Sequence, residues 1–206
     1  EGRRVVNNIQ RSASLFLVKN IFSFLLSLFS VVFMLTYPLE PSQVSLISMF
    51  TIGIPAFFLA LEPNKNIIKG HFLTNVCLKA MPAALTDVLA VGALVVFGRT
   101  FGVNSTDIST AATMLLAIVG FMILYKISAP MNKIRVGILL GTIAGLIFCS
   151  LFLNNLFALT GMSTKCIMLF VVFAIATEPV LRYLTMAIEK CRNLYLRLRE
   201  HGLNEL

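Results

Sequence analysis

Long apolar runs without charge recur along the chain, separated by short polar stretches. Residues 20–39 and 41–61 contain no Asp, Glu, Lys or Arg, nor do residues 108–125 and 136–164. Residues 80–98 carry only Asp87, and 166–181 only Glu178. A hydrocarbon layer of about 30 Å is crossed by roughly 20 helical residues. The run 136–164 is too long for one crossing, so its helix is expected to stop near Asn154 and Asn155 and a new one to start near Thr164. The pattern predicts six membrane helices, at 12–37, 42–61, 75–98, 110–129, 134–154 and 164–187. Barrel strands are shorter and alternate polar with apolar residues, which these runs do not. The expected fold class is all-α, a polytopic membrane helix bundle.

Composition agrees, with 58% hydrophobic residues, 13% charged and a mean hydropathy of +0.89. The net charge of +8 raises the question of nucleic acid, and its distribution answers it. With the N-terminus placed in the cytoplasm, fourteen Lys and Arg fall on the inner side and two, Arg99 and Lys165, outside; Lys19 is embedded. That bias orients membrane proteins, and it predicts two cytoplasmic termini and basic side chains that meet anionic headgroups. The partner implied is the lipid bilayer, not nucleic acid, and the localisation is the cell membrane, with several passes. Residues 1–11 are expected to form a cytoplasmic stalk, 12–187 the transmembrane domain and 188–206 a basic cytoplasmic tail. The charged beginning, without Met or signal peptide, reads as cut from something longer.

Cys77, Cys149, Cys166 and Cys191 show no paired spacing and read as small packing residues. His71 and His201 fall in predicted cytoplasmic segments. No phosphate loop, nucleophile-base pair or metal-spaced His/Cys set is present, so no catalytic residue and no metal beyond a transported ion is expected in this segment.

The second apolar run carries Gly53 and Pro55 at mid-span. Proline removes a backbone donor and crowds the carbonyl four residues earlier, that of Thr51. Freed carbonyls at membrane depth must be buried or line a cavity, and transporters use such breaks to offer oxygen ligands. A plain packing kink is the alternative. Lys19 and Asn20 lie about two turns into the first span, with Ser23 one turn on; Ser48, Thr51, Ile52 and Pro55 share a face of the second. If the faces meet, Asn20, Ser23, Ser48, Thr51 and main-chain oxygens form a polar pocket with Lys19 beside it. An embedded lysine costs about 2.5–3.5 kcal/mol on insertion scales, which makes it a functional candidate unless it snorkels to the interface. Asp87 and Glu178 are secondary candidates, either for the ion path or for polar contacts between helices.

Together these features resemble P-type ATPases. Glu1-Gly2-Arg3, then Asn7-Asn8 and a basic stretch running into a membrane helix, resembles their stalk and fifth membrane helix. Gly53 and Pro55, about 30 residues beyond Asn20, resemble the sixth helix; the other four runs match helices seven to ten by order. The resemblance implies a bacterial pump of cations, with calcium as the leading cargo. It further implies Mg2+ and ATP as requirements of cytoplasmic domains outside this segment, and earlier membrane helices as partners. In calcium pumps the fifth helix offers an Asn and a Glu; Asn20 matches the first, and Ser23 stands in place of the second. At the sixth helix's positions stand Ser48, Thr51 and Ile52, with Ile52 replacing an acidic residue. Lys19 before Asn20 also resembles gastric-type proton pumps, where such a lysine is a tethered cation, and lipid flippases. Another cation or a flippase-like polar substrate is therefore the alternative cargo. A free-standing six-helix membrane protein or channel subunit is the alternative of another class.

Overall fold

The computed structural model describes residues 2–61 and 72–204. The expected inner loop around Pro63, Asn64 and Gly70, with Glu62 and His71, lies outside the described residues. The helices are α1 (Gly2–Val32), α2 (Pro41–Ser48), a π-helical turn (Met49–Gly53), α3 (Ile54–Leu61), α4 (Phe72–Thr100), α5 (Ser105–Ser128), α6 (Lys133–Phe152) and α7 (Thr164–Asn204). Among the described residues six segments are long and apolar enough to cross a membrane, α2, the π turn and α3 together making the second. The protein is an all-helical, multi-pass membrane bundle.

Several boundaries differ from the hydropathy reading, each for a local reason. The first span stops at Val32, five residues short of the expected 37, because a Schellman turn closes it. Met34 takes a left-handed φ of 51°, its N–H donates to the Val31 carbonyl at 3.2 Å, and the Leu35 N–H donates to that of Ser30 at 2.8 Å. The same closure ends α4, with Gly102 at φ 69° and the Val103 N–H on the Gly98 carbonyl at 2.8 Å. At the other end of the chain, stalk and first span form one helix from Gly2, and α7 runs on unbroken to Asn204. Hydropathy marks where a helix enters lipid, not where it begins.

α4 and α5 are the most enclosed spans. α4 packs against α1, α5 and α7, and the second span lies against α1, α5 and α6. Leu26, Val91, Leu94, Leu115, Val119 and Leu124 fill the centre with almost no exposure. The outer faces of α6 and α7 present Leu140, Phe148, Leu151, Met168, Val172 and Ile175. In water such faces would drive aggregation; in a bilayer they meet acyl chains.

Polar ties fix the two ends. On the outer side, buried Gln43 accepts from the Glu40 N–H at 3.0 Å and the Ser109 hydroxyl at 2.6 Å, and donates to the Ala158 carbonyl at 2.9 Å. Asp107 accepts from the Ser163 N–H at 2.9 Å. On the inner side, buried Arg135 donates to the carbonyls of Ser128 and Pro130 at 2.8 and 2.7 Å. These bonds hold α5 in register with the second span and with α6.

The break in the second span is a π turn seated between two glycines. A Cβ on Gly120 of α5 would lie 2.8 Å from Cγ2 of Thr51, and one on Gly145 of α6 would collide with the Phe50 ring. Gly120→Ala is expected to cost about 1–3 kcal/mol through overpacking. Thr51→Ser, which removes that Cγ2, should recover part of the loss in the double variant. Thermal unfolding of the purified protein and its variants in one detergent measures both.

Candidate functional site: a cavity beside the broken span

The second span starts cleanly. Pro41 opens α2, where its missing N–H costs nothing, and a reciprocal capping box joins Glu40 to Gln43. The helix then widens over Met49–Gly53, and the Ile54 N–H reaches back five residues to the Met49 carbonyl. Pro55 has no N–H to give. The Phe50 carbonyl therefore loses its usual partners, since Ile54 is engaged one residue earlier and the next donor is proline. π turns of this kind recur at functional sites. The sequence predicts a break here; the structure makes it a π turn rather than a simple kink.

Beside the turn lies a cavity of about 50 Å³. Lys19 and Phe22 reach it from α1, Ser48 and Thr51 from the second span, and Asp87 from α4; Gly120 of α5 completes the wall. Ile52, at the position where the resemblance calls for an acid, also lines it and is buried. The Ser48 hydroxyl donates to the Val44 carbonyl at 2.7 Å and the Thr51 hydroxyl to that of Ile47 at 2.8 Å. Their protons are spent within the helix, which leaves oxygen lone pairs to accept or to ligate.

The structure brings together Lys19, Ser48, Thr51 and Asp87, but not Asn20 and Ser23. The stripe Leu15, Val18, Phe22 and Leu26 is buried against the bundle, and it carries Lys19 along its edge to the cavity. At 100° per residue Asn20 rotates onto the exposed flank of α1. Ser23 is half-buried; burial raises the Tyr37 hydroxyl pKa in the outer loop, and the Ser23 side chain offsets part of that rise. The expected pocket of Asn20, Ser23, Ser48 and Thr51 is therefore divided between two flanks of α1. Glu178 stands away from the cavity on the exposed face of α7, where it accepts from Arg182 at 2.8 Å.

Two contributors escaped sequence reasoning. Gly120 and Gly145 carry no chemistry of their own, yet they admit Thr51 and Phe50 to their seats. The available signal is glycine inside an apolar span, single in α5 and the last of three, after Gly137 and Gly141, in α6. The cysteines behave as expected for packing residues where buried, at Cys149 and Cys166, while Cys77 and Cys191 are exposed.

No protein-family model matches the chain. Curated proteins do. The chain is 34% identical over 160 residues to "Probable cation-transporting ATPase exp7" of Streptococcus pneumoniae, which covers 74% of this chain and 21% of that protein. It is 37% identical over 150 residues to "Calcium-transporting ATPase CtpE" of Mycolicibacterium smegmatis, covering 66% of this chain and 19% of the relative. The Mycobacterium tuberculosis protein of the same name is 34% identical over 156 residues, 68% of this chain and 19% of its own length. The chain is homologous to a membrane segment of cation-transporting P-type ATPases. It spans about one fifth of the length of the relatives it matches, as a multi-pass segment of the cell membrane.

Because Glu178 and Arg182 answer each other in an i,i+4 pair on the lipid-facing side of α7, Glu178→Gln leaves Arg182 without its partner there and is expected to lower stability by up to about 3 kcal/mol, less as Arg182 reaches the inner interface. The cation concentration that half-activates the ATPase of the full-length variant should match the parent's, because Glu178 does not line the cavity. A higher concentration in the ATPase assay would place Glu178 back on the ion path.

Proposed function

We propose that this segment forms the fifth to tenth membrane helices of an ATP-driven P-type cation pump and supplies half of its mid-membrane cation site. The observation that carries the reading is the cavity at the π turn, where Thr51, Ser48, Lys19 and Asp87 converge at the break. Homology to ATPases whose names specify cation or calcium transport supports it. Calcium export is the favoured activity, since several relatives carry calcium in their names. Hard cations of this class take oxygen ligands, which the hydroxyls, the carboxylate and main-chain carbonyls provide. In the full-length protein, ATP and Mg2+ belong to cytoplasmic domains that form the aspartyl phosphate. Asn20 lies on the exposed flank of α1, away from the cavity, and its part in transport rests on the resemblance to the fifth helix. Lys19 acts as a tethered cation that limits how many ions the site accepts.

The flippase-like reading rests on Lys19 and Ile52. The small volume of the cavity, about 50 Å³, weighs against it. A free-standing channel subunit is disfavoured by the extent of the similarity to ATPases.

The test is ATPase stimulation of the full-length protein in lipid, across Ca2+, Mg2+, Mn2+, K+ and phospholipids. Stimulation by Ca2+ is expected, and silence toward every cation would overturn the reading. Lys19→Ala should alter the number of ions moved per ATP or the apparent affinity. Asn20→Ala should weaken transport more than Ser23→Ala, because the amide is the stronger oxygen ligand.

A further inference from the structure

Resting on the pump reading, we infer that Asp87 of α4 is the anionic ligand of a single hard cation held in the cavity beside the π turn. Its carboxyl is 5% exposed, and its Oδ1 is buried without a hydrogen-bond partner. Nearly all buried polar atoms are paired, and a carboxyl at membrane depth is more costly to leave unpaired than most. A carboxyl kept for contact between helices would meet a donor. The nearest hydroxyl on its own helix, that of Thr86, is instead spent on the Pro82 carbonyl at 2.7 Å. Asp87 lines the cavity together with Ser48 and Thr51, whose hydroxyl protons are spent on their own helix and whose oxygens are left as acceptors. A cation completes such a set of acceptors.

The charges set the number of ions. The acidic positions of the resemblance are occupied by Ser23 and Ile52, so among the described cavity residues Asp87 is the carboxylate. Lys19 lines the same cavity and opposes it in sign. One carboxylate against one ammonium leaves no net negative charge, which argues against more than one cation. The charge that calcium-type sites draw from the fifth and sixth helices is here moved to the helix behind them.

The experiment uses the full-length protein in lipid nanodiscs, with Ca2+, Mn2+ and K+ as probes against a constant Mg2+ background. Thermal midpoint and ATPase rate are read against cation concentration for the parent, Asp87→Asn and Asp87→Glu. The parent should be stabilised and stimulated by one of the probes. Asp87→Asn should fold, show a higher midpoint without the probe, and need at least roughly tenfold more cation, because the affinity of such sites follows ligand charge. Asp87→Glu, which keeps the charge, should retain the response at reduced affinity. On the unmutated protein, the activating cation should protect Asp87 from a hydrophobic carbodiimide, read by peptide mass spectrometry; this arm stands even where Asp87→Asn fails to fold. Full response in Asp87→Asn, or labelling of Asp87 unaffected by an activating cation, would overturn the assignment while leaving the pump reading intact. A parent blind to all three probes would overturn both.

Discussion

A backbone break in hydrocarbon must be covered, and most of this fold follows from how one break is covered. Between Met49 and Pro55 the second span gives up regular pairing, and the Phe50 carbonyl loses its usual donors. Water is not there to replace them, so the segment must be enclosed by protein. Enclosure requires close approach, and close approach requires glycine at the two points where α5 and α6 meet the turn. Gly120 receives Thr51 and Gly145 receives Phe50. The buried Gln43 knot above the turn and the Arg135 knot on the inner side hold α5 and α6 where those glycines are useful.

The few charges at membrane depth sort by the same logic. Arg135 is buried but satisfied by carbonyls at a loop. Glu178 is exposed and answered one turn later by Arg182. Asp107 sits near the outer end and takes a main-chain donor from Ser163. Each of these is explained by its immediate neighbours. Asp87 differs, because its neighbours are a cavity and hydroxyls that have already spent their protons. The bundle tolerates it at a site that the rest of the packing has left open.

The sequence made the number of spans, the all-helical class and the place of the break readable, because each rests on local chemistry: apolar length, and the Gly53 and Pro55 pair. Rotation of the helices was not readable. The same spacing that groups Asn20 with Ser23 is satisfied whether that face turns inward or outward. The choice was made by the longer stripe of Leu15, Val18, Phe22 and Leu26, which buries itself and carries Lys19, not Asn20, to the cavity. Nor does any local signal connect Asp87 with Thr51, which stand 36 positions apart in the chain. The connection exists only because α1 and α5 each pack against both α4 and the second span. Helix ends were misjudged for a related reason: Met34 stops α1 through a left-handed turn that carries no glycine to announce it.

The proposed cation site would distribute its parts by cost. Hydroxyls and main-chain oxygens are cheap at membrane depth, since a helix can satisfy its own donors internally, and they sit on the break. The carboxylate is expensive, and it sits on α4, which is fixed on three sides by α1, α5 and α7. In that proposed site the charge stands on an enclosed helix and faces an irregular segment that carries neutral oxygens. With Ile52 at the break, the irregular segment bears no charge of its own, and the cost of holding one in hydrocarbon falls on a helix with protein on three sides.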